Sequence, residues 1–298
     1  KIFIFSNSLM KKKLSSIAGV TLIEILIGIL ISVVMMAAMF TSYQVVNNTY
    51  SQVADRAKIS TAGRDVVGMM LRDIRNAGFK YFNDNIKTSN EHSPIIITKS
   101  TNFNSACDKL EIVFGDINYD SSRTPKYQFE RYKVTYECKA SKLPDKTAAV
   151  TGGNKLPTIK AFALYKSKLG WNTTSNKWDD PATDGNPKTY GEEIVLDYVS
   201  DLVFNPIDDK GLLISPPPNP TNANKDKLYQ IKTVDIALTV RSTKPFFRNA
   251  KLRKVLAMMD GSRTKSNTDK FFRESIIVTA HARNLGLQWK IKTNKVLL

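Results

Sequence analysis

The residue whose chemistry stands out first is Glu24, a carboxylate set inside the otherwise apolar run VTLIEILIGILISVVMMAAMF, Val20 to Phe40. An ionisable group in such a segment is costly unless a cation meets it, so it marks a functional position in need of a partner. The nearest candidate is an N-terminal ammonium, which would exist at this depth if the chain were cut between Gly19 and Val20. Other chemistry is sparse. His92 and His281 sit in no recognisable motif, and His281 falls in the alternation of a strand. There is no P-loop, GxSxG, HExxH or CxxC pattern, so an enzyme is not expected. The acid pairs Asp116 with Asp120 and Asp208 with Asp209 could offer oxygens to calcium, but neither has EF-hand spacing, and solvated loop acids account for them. No metal or other cofactor is expected.

Two further groups carry chemistry. Cys107 and Cys138 are the only cysteines. In an exported chain they favour one disulfide, worth roughly 3 to 4 kcal/mol by loop closure, against the alternative of two unrelated buried thiols. Near the C-terminus, Lys244, Arg248, Lys251, Arg253, Lys254 and Arg263, with three more cations up to Arg273, are balanced only by Asp260 and Asp269. Phe246, Phe247, Leu252, Val255, Leu256 and Met259 interleave with them, and Gly261 closes the run. Part of this reads as a short basic amphipathic helix, fit to touch DNA, anionic lipid or an acidic neighbour, or simply to lie solvated on its own domain.

The element that positions Glu24 is long enough as a helix to cross a bilayer. Lys11, Lys12 and Lys13 precede it and would stay cytoplasmic, placing everything after the span on the far side. An ordinary secretory signal would be shorter and end in a small-x-small site, which Met35 to Phe40 does not offer. Hydropathy alone leaves a plain signal anchor open.

The stretch Gly19-Val20-Thr21-Leu22-Ile23-Glu24, after a short basic leader, resembles the G-x-T-L-[IV]-E signature of type IV prepilins and pseudopilins. The resemblance implies cleavage after Gly19 by a prepilin peptidase and N-methylation of Val20. It also implies docking through Glu24, beside Thr21, onto the N-terminal amine of a neighbouring subunit. Two departures, Val20 where Phe is usual and Thr41-Ser42 where many major pilins carry a helix proline, point to a minor subunit. The first proline of the chain is Pro94. The chain opens Lys1-Ile2-Phe3, and a start at Met10 would give the leader MKKKLSSIAG, making 1–9 an upstream extension.

Beyond the span, Tyr43, Val46, Tyr50, Val53 and Ala57 recur at helical spacing. The pattern weakens around Gly63, resumes with Val67, Met70 or Leu71, and Ile74, and stops at Gly78, a C-cap. The run Leu71-Arg72-Asp73-Ile74-Arg75-Asn76-Ala77-Gly78-Phe79 resembles the RDIR-x-AG[FY] element of PilW-type minor pilins. A helix end with ordinary surface charges explains the same residue types. Period-two strands follow at 95–98, 110–114, 131–138, 161–165, 194–204, 233–240 and 276–280, with long loops at 166–191 and 206–227.

The sequence therefore predicts an α+β fold: leader 1–19, helix 20–78 with a membrane or filament-core half at 20–40, and a head at 79–298 with an antiparallel sheet and decorated loops. The 298 residues, 42% hydrophobic and 24% charged, can fill such a core. The net charge of +17 falls to +13 once the leader's four lysines are gone, and no RRM, KH, helix-turn-helix or zinc-finger pattern accompanies it. The resemblance implies a minor pilin that primes type IV pilus assembly, in a tip complex. Its partners would be other minor pilins, the major pilin and the peptidase, and it would sit in the inner membrane with a periplasmic head before reaching the pilus. The alternatives are a J-type pseudopilin of a type II secretion system and a tip adhesin or DNA-uptake subunit using the basic insertion.

Overall fold

One helix, α1, spans Leu22–Asn76 and accounts for all the helical spacing in the N-terminal part of the chain. The computed structural model describes residues 19–78, 93–101, 107–119, 121–122, 124, 126–145, 156–221, 223–224, 227–256 and 264–285. The leader before Gly19, together with Phe79, His92, Asp120 and Arg263, lies outside them. The chain falls into two units, Lys1–Gln52 and Val53–Leu298, each considered by itself.

In the second unit α1 buries Ile59, Gly63, Val66, Val67, Met70 and Ile74, a single stripe at three- and four-residue steps. The residues read at helical spacing from Tyr43 onward do lie on α1. Tyr43, Val46, Tyr50, Val53 and Ala57 are exposed, and burial starts at Ile59. Their apolar spacing is real, but no described residue covers it. The weak point at Gly63 also has a cause. A Cβ there would lie 2.6 Å from Ile276 Cδ1, so the missing side chain is what lets helix and sheet approach. The helix ends as expected: Gly78 adopts φ +94°, the left-handed cap that glycine supplies, and its N–H donates to Val113 O at 2.9 Å.

The head sheet is built of β1 (Ile95–Thr98), β2 (Lys109–Tyr119), β3 (Tyr127–Ala140), β4 (Phe162–Asn172), β5 (Lys177–Trp178), β6 (Tyr190–Ile207), β7 (Thr233–Arg241) and β10 (Arg273–His281). The order is β1-β2-β3-β4-β6-β7-β10 with β5 paired to β4, and each of these ladders is antiparallel. The helix stripe packs on alternate residues of these strands, among them Ile95, Leu110, Ile112, Val134, Tyr136 and Leu164. This is the α+β plan predicted, a long N-terminal helix whose C-terminal part packs on an antiparallel sheet. β7 is buried along its whole length, and two of its polar side chains pair with β10: Thr279 Oγ1 donates to Asp235 at 2.5 Å, and Thr239 meets Ser275 at 2.8 Å. The buried Arg241 Nε makes no hydrogen bond with a described residue, and its guanidinium lies 4.0 Å from the Phe271 ring centre.

Most strands outrun their predicted bounds. β4 continues to Asn172 and β6 begins at Tyr190, so the predicted loop 166–191 shrinks to 173–189 with β5 inside it. The predicted basic helix is overturned: Lys251–Leu256 is β8, paired antiparallel with β9, Thr264–Asp269, in a separate two-stranded sheet. Cys107 and Cys138 form one disulfide, with Cα atoms 5.6 Å apart, tying the segment before β2 to β3.

Candidate functional site

At the head of α1, Thr21 and Glu24 form a reciprocal capping box. The Thr21 backbone N–H and hydroxyl donate to Glu24 Oε2 at 2.8 and 2.9 Å, and the Glu24 N–H donates to Thr21 Oγ1 at 3.3 Å. This satisfies orphan donors of the first turn and places a negative charge where the helix dipole favours it. From its apolar surroundings alone, Glu24 reads as an acid seeking a cation. The T-x-x-E spacing of a capping box was the overlooked signal. Both assignments can coexist, because among the described residues Oε1 accepts no hydrogen bond.

Around this box the surface is almost wholly apolar. Every residue from 19 to 51 is exposed, including Val20, Leu22, Ile25, Ile29 and Val33. Three of the hydroxyls along the way are satisfied internally: Ser32, Thr41 and Thr49 each donate to the carbonyl four residues earlier at 2.7 to 2.9 Å. Glu24 is thus the one charge in the 20–54 part of the chain, whose 20–40 run is otherwise fit for lipid or for packing against other apolar helices.

At the other end of α1, the acid of the RDIRNAG element is already spoken for. Tyr136 donates its hydroxyl to Asp73 Oδ2 at 2.6 Å, and the Lys166 ammonium sits 2.8 Å from the same oxygen. Burial, with the Asp73 charge second, pushes the Tyr136 phenol up. Burial alone would lower the Lys166 pKa, but its hydrogen bond and ion pair with Asp73 outweigh that and raise it. Asp73 therefore clamps helix to sheet, and no alternation pattern could have disclosed it. Its neighbours Arg72 and Arg75 face elsewhere, into a cleft shared with Arg283 and Asp116.

The basic insertion resolves into two kinds of residue. Arg253 is structural: its guanidinium lies 3.6 Å from the Phe247 ring centre and donates to the carbonyls of Lys251 and Asp269. Phe246 packs on Phe247 and Phe272, and the N–H groups of Phe246 and Phe247 both donate to Lys270 O. Asp269 grips Arg273 through two hydrogen bonds; burial would raise its pKa, but Arg273 holds it below the ordinary value. Lys244, Arg248, Lys251 and Lys254, by contrast, are exposed. His281 is an exposed edge-strand residue opposite Thr233. Asp208 accepts the N–H groups of Lys210 and Leu212, an ordinary turn acid. No group of three metal-binding side chains occurs among the described residues.

No protein-family profile matches the chain, and no curated protein does. Among solved structures the chain is similar to a type IV-like pilin, TTHA1219, from Thermus thermophilus, at 11% identity and a TM-score of 0.42, over 76% of this chain and 96% of that one. A likeness that loose carries no statement about function, which rests on the residues just described.

Proposed function

We propose that the protein is a type IV pilin-like subunit that enters a filament through the apolar half of α1. The observation that carries the reading is the capping box: a single carboxylate, with one oxygen still open, at the start of an exposed apolar helix. A neighbour's N-terminal ammonium is the cation that fits it. In this reading a prepilin peptidase cuts between Gly19 and Val20 and Val20 is N-methylated. The protein waits in the inner membrane with its head in the periplasm, then moves to the pilus. The resemblance of the Gly19–Glu24 and RDIRNAG stretches supports the finer assignment to a PilW-type minor pilin that primes assembly in a tip complex beside other minor pilins and the major pilin.

A second reading is an anchored binding protein, in which α1 only holds the head at a membrane and the exposed Lys244, Arg248, Lys251 and Lys254 meet nucleic acid or another polyanion. Two substitutions separate the two. Gln can serve at the third helical position of a capping box, so Glu24→Gln keeps the cap and removes only the charge. The subunit reading expects Glu24→Gln and Glu24→Ala both to lose piliation, with the mature N-terminus at Val20 by mass spectrometry only when the peptidase is present. Normal piliation in Glu24→Gln removes Glu24 from docking and leaves the anchor reading standing.

A further inference from the structure

We infer that the cleft at the C-terminal end of α1 is a docking site for an acidic peptide segment of a partner protein, gripped by Arg72, Arg75 and Arg283. The inference is independent of whether α1 enters a filament. The cleft measures about 720 Å³, within the size range of ligand sites. One wall is the last turns of α1, the second is β2 at Phe114 to Asp116, and the third is the chain just after β10.

Its charge is unbalanced. Among the described residues, three guanidinium groups line it against one carboxylate, Asp116, and none of the three makes a hydrogen bond or ion pair with another described residue. The acid that could have answered them, Asp73, is turned to Lys166 and Tyr136 on the sheet. Arg75 alone would be explained by the negative end of the helix dipole. Arg283 would not, since it comes from the opposite end of the chain. The floor is partly apolar: Leu71 and Phe114 are half-buried, and no described atom lies within 4 Å of where a Gly68 Cβ would be.

These features choose among anions. Arg72 and Arg75 are one turn apart, with Cβ atoms about 5–6 Å from one another. Same-side carboxylates of an extended peptide, two residues apart, repeat at about 6.5 Å. Apolar side chains of that peptide would meet Leu71 and Phe114. A lone phosphate would leave the apolar floor unused and keep its water. A nucleic acid would look for an aromatic face to stack on, and the Phe114 ring is already engaged by Tyr132 and Lys168. Arginine suits the carboxylate role because its planar fork binds both oxygens at once.

The test is fluorescence anisotropy with the full chain in detergent micelles at low salt, using a labelled hexapeptide of alternating Glu and Leu and its Gln–Leu counterpart. The Glu–Leu peptide is expected to bind about tenfold more tightly than the Gln–Leu one or better, as charged partners across an interface do. Binding should disappear in the Arg72→Gln, Arg75→Gln, Arg283→Gln triple variant and persist in Lys251→Gln, Lys254→Gln. Arg283→Lys, which keeps the charge but not the fork, should weaken it. All three arginines are exposed, and an unchanged melting curve verifies the fold of each variant. Equal binding of the two peptides, or full binding by the triple variant, overturns the inference. So does displacement by inorganic phosphate, which would make this a small-anion site, or by single-stranded DNA, which would make it a nucleic-acid face.

Discussion

Replacing Asp73 with Ala tests whether the acid of the RDIRNAG element is an internal clamp. The substitution strips the partner from a Lys166 ammonium whose side chain is 13% exposed, and from a Tyr136 hydroxyl on a fully buried residue. Breaking a buried pair from one side costs about 3–5 kcal/mol, and a buried donor left unmet costs about 1–3 kcal/mol. The two overlap here, and the residual exposure of Lys166 lets water take part of the load, so the low end applies, about 3 kcal/mol. For a unit of this size that corresponds to a melting temperature lower by roughly 6–12 °C. Unfolding of the full chain by heat and by urea reads it, with Trp171 and Trp178 in the head as fluorescent reporters. Asp73→Asn should fall between, since it still accepts the Tyr136 hydroxyl but cannot answer the Lys166 charge. A double-mutant cycle with Tyr136→Phe should show coupling of about 1 kcal/mol or more. Stability of Asp73→Ala within about 0.5 kcal/mol of the parent, the range of ordinary surface changes, would refute the clamp.

Two other outcomes follow from the same packing. Lys166 and Tyr136 both hold protons more tightly folded than unfolded, so the folded state binds more protons and loses stability as pH rises. Their contribution should be complete below about pH 10, where both are protonated in either state, and fade as pH climbs above it; the fall should be shallower in Asp73→Ala, and equal slopes would count against the assignment. At Gly63, substitution by Leu should cost about 1–3 kcal/mol by overpacking against Ile276, with Ile276→Ala restoring part of it in urea unfolding. A neutral Gly63→Leu would mean the helix and sheet are not in the contact described.

Where a strand faces the helix, its alternation was legible, as in Tyr132, Val134, Tyr136 and Cys138. Where the same ladder continues past the core, it was not. β4 runs on through Lys166 and Lys168, whose charges gave no sign of a strand, because one pairs with Asp73 and the other lies 4.1 Å from the Tyr132 ring centre. Hydrophobic periodicity detects burial in a core and misses strands held by ion pairs and ring faces. The β8 error has a different origin. In a six-residue run such as KLRKVL, apolar spacing fits either period, and its partner TKSNTD has no apolar residue to break the tie. At the N-terminus the Glu24 position was evident from its surroundings, but its bond to Thr21 required knowing where the helix begins. The Arg72–Arg75–Arg283 cleft joins residues far apart in sequence, and only the folded chain brings Arg283 there.

The β8–β9 hairpin interrupts a connection that the sheet has already completed. β7 and β10 are adjacent and in register up to Arg241 opposite Arg273, and the Ser242 N–H donates to Phe272 O just above that pair. Residues 244–270 are therefore a detour between two ends already held side by side, and no ladder of the eight-stranded sheet passes through them. The base of the detour is tied to the seam where Phe246 meets Phe272 and Asp269 holds Arg273; beyond those contacts, an evolving lineage or an engineer can lengthen, recharge or exchange it while the β7–β10 ladder stays the same.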